Sequence, residues 1–192
     1  MDDDPDVSTA LAWLLGSLKI DTRSFQSGEA FLRELATFKG PACAVLDLRM
    51  PEINGLELLQ RMNDSGYRIP VLFLSAHGDI PAAVNALHLG AIDFLQKPFN
   101  PQTFLDSVGR AIKLARELHE KHLLVMARQV LLSRISEREN EVLQWVLRGQ
   151  TSKEIARVLG ISPRTVDVHR AKVMRKVGVA TILGLINKFR EN

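Results

Sequence analysis

Carboxylate, hydroxyl and amino side chains at four places in the first half of the chain could together handle a phosphoryl group. Asp47 ends the apolar run 42–46, Ser75 follows the run 71–74, Lys97 follows the run 91–95, and residues 2–4 are all aspartate. Clustered carboxylates suit a hard divalent cation such as Mg²⁺, and a carboxylate can attack phosphorus to give an acyl phosphate. An ammonium and a hydroxyl group would then neutralise and orient the phosphoryl oxygens. On position alone, Asp47 could equally be a helix cap or a turn residue.

The surrounding elements decide whether these side chains can meet. The short apolar runs are typical of buried strands, and residues 5–19, 27–37, 55–64 and 81–89 show helical spacing of apolar positions. A further short strand is predicted at 20–25. This alternation predicts an α/β fold, a doubly wound parallel sheet with helices on both faces. Because parallel strands end at one edge of the sheet, Asp47, Ser75 and Lys97 would lie together there.

Composition limits the class of protein. A chain of 192 residues suits one or two domains. No apolar run reaches the ~18 residues of a membrane span, and no signal peptide is visible, so we expect a cytoplasmic protein with no membrane partner. The single cysteine, Cys43, excludes an internal disulfide and is expected to be a buried small hydrophobe.

Charge divides the chain into an acidic front and a basic tail. Residues 1–125 carry 12 Lys and Arg against 16 Asp and Glu, a net −4, whereas residues 126–192 carry 13 against 6, a net +7. This asymmetry suggests two modules, the second facing a polyanion, although a basic surface can also be merely solvated. Between them, a long helical pattern runs from Pro101 to about residue 132. It could be a signalling linker or dimer contact, or only a terminal helix with a frayed extension.

The tail carries helix starts and no strand signal. Capping-box patterns begin at Ser136 and Thr151, and Ser162 precedes a proline at the first position of a helix. Three glycines suit helix ends: Gly149, Gly160 and Gly178. We therefore predict four short helices at about 137–147, 152–159, 163–177 and 180–190.

The second and third of these helices predict a helix-turn-helix. Val166, Val173, Val177 and the stem of Arg170 share one face of the third helix and would pack inward. The opposite face would enter a major groove, where Lys and Arg reach phosphates and base edges. A surface helix with scattered basic residues would also fit the composition. The expected DNA contacts here are Lys153, Arg164, Thr165, Val168, Ala171, Lys172 and Arg175.

Residues 1–118 resemble the receiver domain of two-component response regulators. The resemblance implies a flavodoxin-like fold with strand order 2-1-3-4-5. The matching stretches are Asp2-Asp3-Asp4-Pro5, Leu46-Asp47-Leu48-Arg49-Met50-Pro51 with Asn54-Gly55-Leu56-Glu57-Leu58, Leu74-Ser75-Ala76-His77-Gly78-Asp79, and Gly90-Ala91-Ile92-Asp93-Phe94-Leu95-Gln96-Lys97-Pro98-Phe99.

The resemblance also implies roles for these residues. Asp47 would accept a phosphoryl group from a sensor histidine kinase, with Ser75 and Lys97 holding the phosphoryl oxygens. Mg²⁺ would be bound by Asp3, Asp47 and the Arg49 carbonyl, with help from Asp2. Ser75 and Phe94 would be the switch pair that reports phosphorylation to the face made by the fourth helix, fifth strand and fifth helix. That face, near Asn85, His88 and Phe94, would form the homodimer of the phosphorylated protein.

The start of the chain departs from the family pattern, in which an apolar strand precedes the acidic pair. Here only Met1 stands before Asp2. In strand order 2-1-3-4-5 the first strand is internal, so its absence would leave two neighbours with unpaired edges and an apolar slot. Either the true start lies upstream, which we favour, or the receiver is truncated. In the second case, Mg²⁺ binding and phosphorylation are in doubt.

Residues 133–192 resemble the LuxR-type helix-turn-helix, and residues 119–132 are expected to be a helical linker. His169 is then expected to pack and contact phosphate rather than bind metal, with Arg170 beside it on the DNA side. Together the two halves resemble response regulators of the FixJ/NarL subfamily. The motifs are Ser136-Glu137-Arg138-Glu139, Val142-Leu143, Gly149, Lys153-Glu154-Ile155-Ala156, Leu159-Gly160-Ile161-Ser162, Thr165-Val166 and Val168-His169-Arg170.

Three functions compete. The first is a phosphorylation-switched transcription factor that dimerises, binds double-stranded DNA and works with RNA polymerase, by resemblance as an activator. The second is a DNA-binding protein whose receiver fold is only a dimerisation platform. The third is an aspartate-nucleophile phosphohydrolase. It is disfavoured because Arg49 stands where such enzymes place a second aspartate, the general acid that turnover needs, so we expect no enzyme activity.

Overall fold

The computed structural model describes residues 1, 2, 4–76 and 80–190. The chain divides into two compact units, Met1–Lys121 and His122–Asn192. Within the part of the chain that the structure describes, no helix is both long enough and apolar enough to cross a membrane.

The first unit alternates helices and strands. The described elements are α1 (Pro5–Gly16), α2 (Gly28–Thr37), β1 (Ala44–Asp47), α3 (Gly55–Asp64), β2 (Val71–Ser75), α4 (Ile80–His88), β3 (Asp93–Gln96) and α5 (Pro101–Ser133). Helix α5 begins in this unit and ends in the second, and it contains the predicted linker 119–132. Polar side chains start these helices: Asp4 caps α1, Ser27 caps α2 and Asn54 caps α3.

The sheet is parallel and has the order β1-β2-β3 in the described residues. Successive strand residues point to opposite faces. On one face Leu46 and Phe73 pack with α2 and α3; on the other, Leu72 and Leu74 pack with α1 and α5. Helices therefore cover both faces, which confirms the predicted doubly wound α/β fold.

The strand predicted at 20–25 is wrong, because these residues form no strand. In the predicted strand order, this segment would pair with the strand before Asp2, and only Met1 occupies that position. Met1 donates its amino group to the Val45 carbonyl at 2.7 Å and accepts the Asp47 N–H at 2.9 Å. This is the bonding pattern of parallel strands, so within the described residues Met1 is what pairs with the outer edge of β1.

A cavity of about 900 Å³ follows the same edge of β1. Both hydrophobic layers contribute to it, so its walls are largely apolar. The side chains around it include Leu11 and Leu15 of α1, Phe31 and Leu35 of α2, and Phe104 and Val108 of α5. The apolar slot predicted from the family pattern is therefore present.

The second unit is helical: α6 (Glu137–Leu147), α7 (Ser152–Leu159), α8 (Pro163–Val177) and α9 (Ile182–Arg190) follow α5. Both capping boxes form, at Ser136 and at Thr151. Gly160 and Gly178 end their helices in the left-handed conformation, with φ of 65° and 75°. The buried core includes Val142, Leu143, Ile155, Val166, Val173 and Leu185.

Candidate functional site

Three predicted site residues come together at the carboxyl edge of the sheet. Asp47 is the last residue of β1, Ser75 is the last residue of β2, and Lys97 follows β3. The backbone fixes this arrangement, because Lys97 donates its N–H to the Ser75 carbonyl at 2.7 Å. The Lys97–Pro98 peptide bond is cis. The parallel register predicted from sequence therefore does bring these side chains to one edge.

Lys97 joins two carboxylates. Its ammonium nitrogen lies 2.6 Å from Oδ2 of Asp2 and 2.7 Å from Oδ1 of Asp47. Both aspartates are buried, at 3% and 6% exposure. Burial of the ammonium group opposes its charge, but the hydrogen bonds and charges of Asp2 and Asp47 outweigh burial and raise the pKa of Lys97. The site therefore brings two buried carboxylates onto one ammonium group, that of the partly exposed Lys97.

Asp47 is oriented by the chain around it. Its Oδ2 atom accepts the Arg49 N–H at 2.8 Å, so its two oxygens point to different partners. An oxygen of this carboxylate is the atom that can act as a nucleophile toward phosphorus. The role of the Arg49 carbonyl stays a prediction.

The predicted switch residues lie on neighbouring strands. Ser75 is buried at the end of β2, and Phe94 pairs in register with Phe73. The Phe94 ring is half-buried, with its centroid 6.4 Å from that of Phe73. It lies at the edge of the core, where a change of side-chain position would alter the exposed surface.

The predicted Mg²⁺ ligands are only partly within the described residues. Asp3 lies outside them, as do residues 77–79 of the motif around Ser75. Among the described residues, no group of three or more His, Cys, Asp and Glu side chains could hold a metal ion. Asp2 and Asp47 remain, and their oxygens already converge on one cation. Hard oxygen donors of this kind fit Mg²⁺.

Sequence reasoning missed a polar cluster on β3 and α5. The Asp93 carboxylate accepts the Ser107 hydroxyl at 2.6 Å and an Arg110 N–H at 2.6 Å. The three-residue spacing of Ser107 and Arg110 on a helix could have indicated a shared face. Nothing in the sequence links that pair to Asp93.

In the second unit, the predicted DNA-binding face of α8 is exposed. Val168, Ala171, Lys172 and Arg175 are exposed along the helix, whereas Val166, Val173 and Val177 are buried beneath it. Three further predicted contacts are also exposed: Lys153 on α7, and Arg164 and Thr165 at the start of α8.

The cations of this face are available for another charge. Among the described residues, no carboxylate forms an ion pair with Lys153, Arg164, Lys172 or Arg175. Lys176, by contrast, pairs with the buried Glu139 at 2.5 Å. Of these five basic residues, Lys176 therefore joins α8 to α6, and the other four have no carboxylate partner in the described structure.

Two predicted contacts, His169 and Arg170, are only half exposed. His169 has its Nδ1 atom buried without a hydrogen-bond partner within the described structure. Arg170 donates from Nη1 to the Ser152 hydroxyl of α7. Their roles toward DNA stay predictions.

A buried acidic site on a receiver-type sheet and an exposed basic helix-turn-helix in one chain define a response regulator that acts on transcription. The pattern of the response regulator receiver domain matches residues 1–109, and that of the bacterial regulatory proteins of the luxR family matches residues 133–189. The chain belongs to the two-component response regulators that combine these two domains. They are transcriptional regulators rather than enzymes.

Similar proteins span nearly the whole chain. The transcriptional regulatory protein TdiR of Thauera aromatica is 42% identical over 93% of this chain and 78% of its own length. FixJ of Bradyrhizobium diazoefficiens is 36% identical over 97% and 90%. The response regulator StyR has a structure that aligns with a TM-score of 0.84 and 36% identity, covering 100% of this chain and 96% of its own.

Proposed function

We propose that Asp47 accepts a phosphoryl group from a sensor histidine kinase and that this event controls DNA binding by the second unit. The observation that carries the proposal is the ion pair of Lys97 with both Asp2 and Asp47 at the sheet edge. Phosphoryl transfer is catalysed largely by positioning and by neutralising charge, and this arrangement supplies a nucleophile and a cation together.

The transfer itself needs little from the protein beyond these groups. An Asp47 oxygen attacks phosphorus while the bond from phosphorus to the kinase histidine breaks. The histidine nitrogen leaves with the bonding electron pair and takes a proton. Lys97 moves from the carboxylate to a phosphoryl oxygen, and the Ser75 hydroxyl donates to another. Asp2, Asp3, Asp47 and the Arg49 carbonyl would hold Mg²⁺, which neutralises phosphoryl oxygens when bound.

Phosphorylation would change the surface through the switch pair. Ser75 turns toward the phosphoryl group and Phe94 moves inward, which shifts a pre-existing equilibrium toward the active form. The face that changes includes Asn85 and His88 of α4. Three apolar side chains of that helix are exposed and would be covered in a homodimer: Ile80, Val84 and Leu87.

The dimer would then present two copies of α8 to double-stranded DNA. Recognition helices of such dimers read half-sites about one DNA turn apart. Lys172 and Arg175, with Val168 and Ala171, would face the major groove. Lys153, Arg164 and Thr165 would contact the DNA backbone. The further expected DNA contacts are His169 and Arg170. RNA polymerase is the further partner proposed, with activation as the outcome.

The phosphoryl step is tested by treating the purified chain with acetyl phosphate and Mg²⁺ and measuring its intact mass. Asp47→Asn removes the nucleophile, and Asp21→Asn, at an exposed aspartate, is the matched control. A gain of one phosphoryl group is expected in the unaltered chain and in the control, but not in Asp47→Asn. If no chain gained a phosphoryl group, the proposal would be wrong.

A second function has one observation in its favour. Among the described residues, the outer edge of β1 pairs only with Met1, and it borders a large cavity. This makes a receiver fold that serves only as a dimerisation platform worth testing. Such a protein would bind duplex DNA equally before and after acetyl phosphate treatment. A phosphorylation-dependent gain in DNA affinity, lost in Asp47→Asn, would exclude it.

A further inference from the structure

One hydroxyl group links the two helices of the helix-turn-helix. Ser152 is the first residue of α7, and its Oγ atom donates to Oδ1 of Asp167 on α8 at 2.6 Å. Arg170, also on α8, donates from Nη1 to the same Oγ atom. Asp167 and Arg170 are three residues apart and therefore lie on one side of their helix. Both ends of the link thus belong to α8, and its centre belongs to α7.

The direction of the bonds is fixed by chemistry. A guanidinium group can only donate and an ionised carboxylate can only accept. The Ser152 hydroxyl oxygen must therefore accept a hydrogen bond from Arg170, while its O–H donates one to Asp167. A chain of donors that runs from a cation to an anion polarises each member, so the two bonds strengthen each other.

We infer that Asp167 is a positioning residue for DNA binding, which acts through Ser152 and Arg170 to set the placement of α7 on α8. The inference rests on the proposed DNA-binding function. Lys153 follows Ser152 on α7, and Arg164 lies in the first turn of α8. Both can reach one DNA backbone only if the two helices keep their relative placement.

The other polar links of this unit act elsewhere. Lys176 of α8 pairs with Glu139 of α6, and Arg138 of α6 donates to the Leu159 carbonyl at the end of α7 at 2.8 Å. The apolar core, with Ile155 and Val166 fully buried, holds α7 and α8 together. Loss of the Asp167 link should therefore leave the unit folded and change mainly how its basic residues are presented.

Electrostatic repulsion alone predicts the opposite effect of Asp167 on DNA affinity. It is an exposed acid on the helix that faces a polyanion, so removal of its charge should strengthen DNA binding. A positioning role requires that removal of the charge weakens binding. The sign of the change in affinity therefore separates the two interpretations.

The experiment uses the full chain, treated with acetyl phosphate and Mg²⁺, and a DNA duplex that the treated, unaltered chain selects from a randomised pool, with affinity read by fluorescence anisotropy at fixed salt. Asp167→Asn keeps an acceptor oxygen but removes the charge, and we expect it to weaken binding about 3- to 10-fold, the effect of replacing a charge-assisted hydrogen bond with a neutral one. Asp167→Glu keeps the acceptor and the charge and should retain most of the affinity. Glu137→Gln removes an exposed acid of the same unit and is the matched control.

A double-mutant cycle then tests the route of the effect. Ser152→Ala should weaken binding to a similar degree, and Asp167→Asn should add nothing in that background, because the two residues act as one unit. The slope of log affinity against log salt should stay unchanged in both, whereas loss of a phosphate contact lowers it by about one. Thermal unfolding checks that each variant is folded.

The outcomes separate this inference from the proposed function. If the unaltered chain selects and binds a duplex but Asp167→Asn binds equally or more tightly, the positioning role is wrong and DNA binding stands. Additive effects of the two substitutions would overturn it as well. If the unaltered chain selects no duplex, the proposed function fails, and the inference that rests on it fails too.

Discussion

Lys97 and Asp47 form an ion pair of 2.7 Å between the ends of β3 and β1, two strands that are not neighbours in the sheet. The same ammonium group holds Asp2 at 2.6 Å. Lys97 therefore occupies the place between the carboxylates that a divalent cation would compete for, and this competition can be measured.

Replacement of Lys97 by Met should show whether the lysine ammonium and Mg²⁺ compete for the carboxylates of Asp2 and Asp47. Two buried carboxylates lose their cation, so we expect a loss of about 1–3 kcal/mol in the free energy of unfolding without Mg²⁺. Added Mg²⁺ should then raise the melting temperature of the variant more than that of the unaltered chain, because binding to the folded state stabilises it. Lys113→Met, at an exposed lysine, is the control. An equal Mg²⁺ effect in all three chains would contradict the predicted site.

The buried Glu139 should make the second unit sensitive to acid. The hydrogen bond from Lys176, followed by that from the Ser136 N–H, lowers the pKa of Glu139 from 4.5 to about 2. A lowered pKa means that the stabilisation is present above pH 4.5 and is lost as the pH falls toward 2. Trp145 fluorescence in a Trp13→Phe background follows the unfolding of this unit.

Glu139→Gln separates the charge from the cap. Glutamine can still complete a capping box, so this variant should lose the acid dependence and keep the helix start. Glu139→Ala loses both, and we expect it to be about 1–2 kcal/mol less stable again. If Glu139→Gln retained the full loss of stability between pH 4.5 and 2, the ion pair would not be its source.

The free edge of β1 gives a prediction about engineered additions. In a parallel sheet, alternate residues of a strand direct their N–H groups to opposite neighbours. The Asp47 N–H bonds Met1 on the outer edge of β1. The Val45 N–H, two residues earlier, therefore points to the same edge and faces the cavity. An engineered apolar extension of about four residues before Met1 should enter the cavity and pair there, since a strand rises about 3.3 Å per residue. We expect a higher melting temperature and slower hydrogen exchange at Val45. A polar extension of equal length should have neither effect.

The exposed apolar side chains of α4 predict a specific defect in assembly. Val84→Asp places a charge on the proposed dimer face, and its burial in a dimer would be costly. The variant should gain a phosphoryl group from acetyl phosphate normally but stay monomeric in analytical ultracentrifugation. Thr37→Asp, at an exposed position of α2, should dimerise like the unaltered chain. If the phosphorylated Val84→Asp variant dimerised, the dimer interface would not include this face of α4.

Local signals in the sequence were enough for most of the fold. The capping boxes at Ser136 and Thr151 locate α6 and α7 closely, because a cap satisfies the first backbone groups of its own helix. The meeting of Asp47, Ser75 and Lys97 followed from strand direction alone. The first rule involves residues close together in the chain, and the second requires only the direction in which each strand runs.

What the sequence did not reveal depends on partners far apart. Residues 20–25 have a strand-like composition but form no strand, since a strand needs a neighbour to accept its hydrogen bonds. Asp93 with Arg110, and Ser152 with Asp167, join side chains from different elements, and their meeting depends on the packed geometry. Arg170 was expected at the DNA, and its bond to Ser152 could not be read from its position on α8.

The exposed cations of α8 lead to a prediction about salt. Lys172→Ala should weaken binding to the selected duplex and lower the slope of log affinity against log salt by about one, because one fewer counterion is released from DNA. Lys188→Ala removes an exposed lysine of α9 and should change neither quantity, which makes it the matched control. If both variants changed the slope equally, binding would depend on net charge alone, and α8 would not be the recognition helix.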